Sequence, residues 1–336
     1  MSKIKVTVIY GGMSTEHEVS INSAANVIEN LDKNKYDINQ IVISKNGEFL
    51  DKNNKVIKNI IQELKGSDVV FPVLHGLYGE DGTIQGMLEM LNIPYVGCKV
   101  LASSVGMDKV YTKAIFEKAN IPQAKYIYIK NENTYVNEQF EEIKLENDEI
   151  ANLIEEKLKF PVFVKPANSG SSVGVTKATN SAELIQSIQN SALFDKKVLI
   201  EEAINGQEVE CAVLGNEHVE VTTVGEIKSA ENFYSYDAKY KNVESKTVIP
   251  ADIPNEKIKE IKRLAAKAFK AIDGSGLSRV DFFVEKDTKK VYINEINTMP
   301  GFTSISMYPK LWESEGLKYS ELIDKLIELA LEGKKK

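Results

Sequence analysis

The sequence predicts a mixed protein, part α/β and part α+β, of two or three domains, opening with a doubly wound sheet. Three stretches carry that reading. Residues 4–10 are an apolar run passing straight into Gly11-Gly12 and then into a helical pattern, the strand–turn–helix opening of a doubly wound sheet. Residues 160–175 read as a strand, a Gly/Ser loop and a second strand, so a phosphate-bearing ligand there is held between sheets and not at a helix N-terminus. Residues 291–309 open as a strand and break at Pro300-Gly301. A chain of 336 residues, 43% hydrophobic, can bury a large core.

Charge and cysteine usage narrow the classes. A net charge of −7 and a pI near 5.4 argue against a nucleic-acid partner. Cys98 and Cys211 stand apart, with neither disulfide nor zinc spacing. The N-terminal apolar run is too short for a secretory signal and nothing approaches a membrane span, so a cytoplasmic protein without a membrane partner is expected.

Taken in order, the helix after Gly12 carries Val19, Ala24, Val27, Ile28 and Leu31 on one face. Glu16 stands at its start, either as a first-turn acid that complements the helix dipole or as the partner of a substrate ammonium. Residues 38–43 and 68–74 are further strands. The second ends in H-G-L-Y-G-E-D-G, a tight loop at a strand's carboxyl end, where ligands of α/β sheets bind. His75 in that loop is a candidate site residue, set against the commoner structural role of a lone histidine. Residues 83–91 follow as a helix and 93–97 as a strand, and the first domain closes around 101–105. Residues 109–119 are helical, 124–129 a strand, 131–147 a polar loop or insertion, and 150–158 a helix.

Lys165 ends the next strand beside the small residues of the Gly/Ser loop. Free backbone N–H groups next to a lysine suit a triphosphate. Residues 197–202 and 207–214 are strands around a short connector bracketed by Glu201 and Glu208, whose backbone suits an adenine edge. Residues 229–244, rich in tyrosine and lysine, are too polar for core and too long for a turn, and are expected to form a lid. Residues 256–271 and 319–331 are amphipathic helices. Glu295 and Asn297 share one face of an extended chain. With Asp281 from another strand they form a cluster of hard oxygen donors suited to Mg²⁺ carrying phosphates, and Arg279 adds a cation beside them. Neither G-x-G-x-x-G nor G-x-x-x-x-G-K-[ST] occurs, which argues against a dinucleotide enzyme and a P-loop, and the lack of H-E-x-x-H argues against zinc.

In series, G-G-x-S-x-E at 11–16, H-G-x-x-G-E-D-G at 75–82, V-K-P-A-N-S-G-S-S-V-G at 164–174, Y-D-A-K-Y at 236–240, S-R-V-D at 278–281 and N-E-I-N-T-M-P-G-F-T-S at 294–304 resemble the D-alanine–D-alanine ligases of the ATP-grasp superfamily. The resemblance covers almost the whole chain. It implies a three-domain ATP-grasp fold: an N-terminal doubly wound substrate domain (1–105), a central subdomain (106–204), and a C-terminal subdomain (205–336) with metal site and lid. The implied reaction is ATP-dependent joining of two D-alanines through a D-alanyl phosphate, for peptidoglycan precursors, in a homodimer. ATP is the co-substrate, and a pair of Mg²⁺ ions, with Mn²⁺ as a substitute, is implied at Asp281, Glu295 and Asn297.

The same resemblance assigns roles residue by residue. Lys109, Lys165 and Ser172 match phosphate contacts, Lys239 a lid contact to ATP, Glu201 and the backbone at Ile204 the adenine contacts, and Glu208 the ribose contact. Glu16 matches the holder of the first D-alanine's ammonium, and His75 lies near its carboxylate. Arg279 and the Gly301 N–H match the oxyanion site, Ser306 and Met307 the second amino acid's site, and Tyr240 joins Glu16 and Ser171 in a hydrogen-bond network. A D-alanine–D-serine or D-alanine–D-lactate ligase, or another ATP-grasp carboxylate–amine ligase, is the alternative that the resemblance leaves open. The lactate type has arginine where Met307 stands and replaces Tyr240, so this chain is expected to make D-alanyl-D-alanine.

Overall fold

The computed structural model describes residues 2–131, 133–228 and 246–332. The expected lid, with Lys239 and Tyr240, lies outside the described residues.

The first sheet is built from β1 (Ile4–Gly11), β2 (Tyr36–Ile43), β3 (Phe49–Asp51) and β4 (Val69–Val73), interleaved with α1 (His17–Asn30) and α2 (Ile60–Lys65) and followed by α3 (Thr83–Met90). Its order is β3-β2-β1-β4, with β1 parallel to β2 and β4 and the short β3 antiparallel at the edge. Val6 and Val8 face Ala24 and Val27 of α1. Ile9, Ile41 and Val70 face the other way, under Leu64 of α2 and Ile84 and Leu88 of α3. Both faces are covered, which is why β4 is buried throughout and reads as an unbroken apolar run. The strand expected at 93–97 is only a single bridge, Val70 to Tyr95. Pro94 has no N–H to give to a ladder, and Gly97, at φ +111°, turns the chain away.

Helices α4 (Val100–Met107) and α5 (Lys109–Lys118) lead to the second sheet: β5 (Tyr126–Lys130), β6 (Thr134–Val136), β7 (Glu142–Lys144), β8 (Val162–Pro166), β9 (Thr176–Ala178) and β10 (Lys197–Glu202). These pair antiparallel in the order β7-β6-β5-β10-β8-β9. The expected polar loop at 131–147 thus holds two short strands, and its polarity reflects a hairpin at the sheet edge, where all of β7 is exposed. One face packs under α6 (Asn147–Lys157) and α7 (Ser181–Ala192), through Ile150, Ile154, Leu184 and Ile188. On the other face Leu199 packs with Ala167 and with Val110 of α5.

A connector of residues 203–205 leads from β10 into the third sheet, whose strands are β11 (Gly206–Gly215), β12 (Val219–Lys228), β13 (Lys246–Val248), β14 (Gly276–Glu285) and β15 (Val291–Asn297). All pair antiparallel in the order β13-β12-β11-β14-β15. Helix α8 (Asn255–Ala271) covers one face with Ile261, Leu264, Ala268 and Phe269. Helices α9 (Met307–Ser314) and α10 (Tyr319–Glu332) close the chain. Leu322, Leu326 and Ile327 of α10 share a core with Val6, Val8 and Val27, centred on Phe302, whose ring meets Phe71 edge-on at 5.8 Å. Tyr36 adds a hydrogen bond to Asp324 at 2.8 Å. No described helix is long and apolar enough to cross a membrane.

Candidate active site

Strand β15 would put Ile293 and Ile296 on opposite faces if it were regular. Register solves this: Asp281 pairs with Glu295 but Phe282 pairs with Ile293, leaving Asn294 as an extra residue. The bulge lets Ile293 and Ile296 both enter the core and turns Glu295 and Asn297 onto the face of Arg279 and Asp281.

On that face Arg279 donates through Nε to Asp281 Oδ1 at 2.7 Å and through Nη2 to Oδ2 at 2.6 Å. The Asn297 amide donates to Asp281 Oδ2 at 3.1 Å. Glu210, opposite Asp281 on β11, approaches Arg279 Nε at 2.9 Å. Burial works against the guanidinium charge, and Asp281 and Glu210 outweigh it, so Arg279 is held firmly protonated. Glu210 was not foreseen in the sequence, where it reads as one polar position in an alternating strand. Among the described residues no group of three His, Cys, Asp or Glu is arranged as a ready metal cage. The donor set still fits a hard cation: Asp281 and Glu295 bring carboxylate oxygens and Asn297 an amide oxygen, with Asp281 shared with Arg279.

The second sheet contributes cations. Lys165 on β8 and Glu201 on β10 share the face that α5 overlies. Lys165 Nζ forms an ion pair with one Glu201 oxygen, and Lys113 Nζ of α5 lies 2.5 Å from the other. Burial pushes the Glu201 carboxyl up, but the two lysines outweigh it and bring it down to about 2. Lys113 was also missed: it sits in an ordinary helical pattern, one lysine among many. Asp108 caps α5 by accepting from the Val110 N–H at 3.1 Å, which fixes Lys109 at the helix start. Lys109 donates to the Ser169 carbonyl at 2.7 Å, tying α5 to the Gly/Ser loop. In that loop Ser171 and Ser172 both adopt left-handed backbone, at φ +49° and +60°, two successive residues in a region that L side chains rarely take up. Ile204 lies in the connector and Glu208 on β11, on the same face as Glu210.

The loops of the first sheet meet this assembly. The Ser171 hydroxyl donates to Glu16, which is 7% exposed at the start of α1. Glu16 is wedged between glycines: a Cβ would stand 2.4 Å from its Oε2 at Gly76, where φ is +69°, and 2.6 Å at Gly170. Ser14 donates to the His75 carbonyl at 2.8 Å, stitching the two loops together. His75 is enclosed, with Nε2 2.9 Å from Ser23 Oγ and Nδ1 3.1 Å from the Met299 carbonyl. Burial pushes its imidazole down, and Glu80 and Glu16 more than offset this, leaving it raised. Both ring nitrogens therefore serve the scaffold of the loop that leads to Gly301. In that loop the Ser306 hydroxyl accepts from the Thr303 N–H at 3.0 Å, close beside Gly301. Met307 is buried with Phe302, Tyr308 and Leu311 and packs against Gly225.

Three sheets with lysines on one, carboxylates on the next and an acid-bearing loop from the first define an ATP-grasp enzyme. Residues 5–98 match the family model described as D-ala D-ala ligase N-terminus, and residues 115–328 the one described as D-ala D-ala ligase C-terminus. The chain belongs to the D-alanine–D-alanine ligase family. It is 50% identical to the D-alanine–D-alanine ligase of Acetivibrio thermocellus, over 98% of this chain and 96% of that protein. Among solved structures it is similar to the VanG D-Ala:D-Ser ligase from Enterococcus faecalis, at 38% identity and a TM-score of 0.85 over 98% of this chain and all of that one. It is also similar to the D-alanine-D-alanine ligase from Coxiella burnetii, at 33% identity and a TM-score of 0.84, covering 100% of this chain and 96% of that one.

Proposed function

We propose that this chain uses ATP to join two D-alanine molecules, through a D-alanyl phosphate, into D-alanyl-D-alanine for peptidoglycan precursors. The observation that carries the reading is the meeting of Glu16 with Ser171: an acceptor for a substrate ammonium lies under a loop built for phosphate. In this reading Glu16 orients the first D-alanine, with His75 holding the surrounding loops in place. Lys109, Lys165 and the Ser171-Ser172 turn receive the phosphates, and Glu201, Ile204 and Glu208 receive the nucleoside.

The first carboxylate attacks the γ-phosphorus, ADP leaves, and the second amine displaces phosphate from the acyl carbon. Arg279 and the Gly301 N–H stabilise the tetrahedral oxyanion of that second step. Asp281, Glu295 and Asn297 would hold a pair of Mg²⁺ ions, with Mn²⁺ as substitute, which when bound neutralise phosphate oxygens. Ser306 and, from within the core, Met307 shape the second amino acid's site. Lys239 and Tyr240 are assigned to the lid that excludes water from the acyl phosphate. The same reading includes a cytoplasmic homodimer.

The test is phosphate release from Mg-ATP with and without D-alanine, then product analysis with D-serine or D-lactate in excess. D-alanine-stimulated release with D-alanyl-D-alanine as main product is expected. D-alanyl-D-serine as main product would move the chain to the specificity named for the Enterococcus structure.

A further inference from the structure

Two ammonium groups close on a single buried carboxylate between α5 and the second sheet. Lys113 and Glu201 are 3% and 4% exposed, and Lys113 also lies 5.3 Å from the centre of the Tyr126 ring. The lysines take opposite oxygens of Glu201, so the group carries one positive charge in excess. With one lysine the arrangement would be a neutral pair, and Lys165 could leave it only by abandoning a buried anion, at heavy cost.

We propose that Lys113 is a positioning residue: the resident counter-ion of Glu201 that frees Lys165 to move onto the phosphates of ATP. This rests on the reading of Lys165 as a phosphate contact. Lys113 lies 2.5 Å from Glu201, so when Lys165 swings toward a polyphosphate the carboxylate keeps a partner. Glu201 in turn holds the Lys165 ammonium across β10 near the end of β8, so less rotamer freedom is left to lose on binding. The helix cap at Asp108 holds α5, and so Lys113, in place while this happens.

The proposal separates phosphate recognition from adenine recognition. Lys113→Met should weaken binding of the non-hydrolysable analogue AMP-PNP by about tenfold or more, because Lys165 is then locked to Glu201. It should leave adenosine binding within about a factor of two, since the nucleoside makes no demand on Lys165. Lys113→Met combined with Glu201→Gln should weaken adenosine and AMP-PNP alike, through the altered adenine contact, and should remove the extra loss of AMP-PNP, because no anion remains to hold Lys165. Equal losses for adenosine and AMP-PNP in Lys113→Met, or an extra AMP-PNP loss that persists in the double variant, would show that Lys113 merely supports the pocket and overturn the proposal. If Lys113→Met does not fold, Lys113→Gln carries the same comparison. Lys165→Met is the control: if it leaves AMP-PNP affinity intact, the assignment of Lys165 to phosphate fails, a different result from failure of the Lys113 proposal.

Discussion

The hydroxyl of Ser171 donates to the carboxylate of Glu16, across 155 positions of sequence. A hydrogen bond to an ionised acceptor contributes roughly 1.5–3 kcal/mol. Ser171→Ala should therefore lower kcat/KM for D-alanine by roughly 10–100-fold. It should also release phosphate without a matching yield of dipeptide, because the loop is no longer sealed over the acyl phosphate. Assaying both products in one reaction checks this; losses in equal proportion would contradict a sealing role.

Gly170 offers a cleaner handle on Glu16. A methyl there meets the far end of the Glu16 side chain at 2.6 Å, so the fold can give way while the carboxylate is displaced. Gly170→Ala should cost about 10²-fold in kcat/KM for D-alanine, as expected for misplacement of a substrate-orienting group. Its melting temperature should stay close to that of the unchanged chain. A large fall in melting temperature would mean that the loop, and not Glu16, had yielded.

Arg279 is held by two carboxylates at once, so its replacement tests more than one role. Arg279→Lys keeps the charge but loses the planar fork, and kcat should fall by about 10²-fold. Asp281 and Glu210 lose part of their pairing, and breaking buried pairs costs about 3–5 kcal/mol when a partner is removed outright. Arg279→Met should therefore unfold at markedly lower denaturant concentration than Arg279→Lys. Equal stability of the two would deny the guanidinium its structural share.

Glu295→Gln removes one anionic oxygen from the proposed cation site while leaving the strand pairing of β14 and β15 in place. Binding of Mn²⁺, followed by electron paramagnetic resonance with ADP present, should weaken by about tenfold or more. Unaltered Mn²⁺ affinity would place the cations elsewhere.

Acid should weaken the second sheet through Glu201. Its folded value, about 2, lies below the ordinary 4.5, so the carboxylate stabilises the fold above that ordinary value. The contribution is lost as pH falls through the folded value. Denaturant titrations of the unchanged chain and Glu201→Gln, compared in steps from neutral pH down through that window, should converge as the pH drops. A gap that does not change with pH would remove Glu201 as the cause.

Much of this architecture is written in local pattern. Strands such as β1 and β4 announce themselves as apolar runs, and α8 by its spacing of Ile261, Leu264 and Ala268. The loops of the site were legible because glycines cluster at strand ends, where a ligand must come close. Pairing information was not legible. The extra residue Asn294 is visible only once β14 lies beside β15, and Glu210 becomes a site residue only because register sets it opposite Asp281. Lys113 differs from its neighbours solely by what β10 brings against it. Residues 93–97 have the composition of a strand, but Pro94 and Gly97 leave only one bridge.

The shared core of the first and last elements has a consequence for how the chain is made. Val6, Val8, Ala24 and Val27 are buried with Leu322, Ile323, Leu326 and Ile327, so the first residues translated wait for the last. The second sheet needs only its own stretch and the helix just before it, since one core runs from Ile127 to Ile200 and the other face is met by Val110 of α5. During synthesis the middle of the protein can therefore mature while the core under α1 still lacks its last helix. A ribosome halted before residue 319 would carry a finished second sheet tethered to a first one whose α1 face still lacks α10.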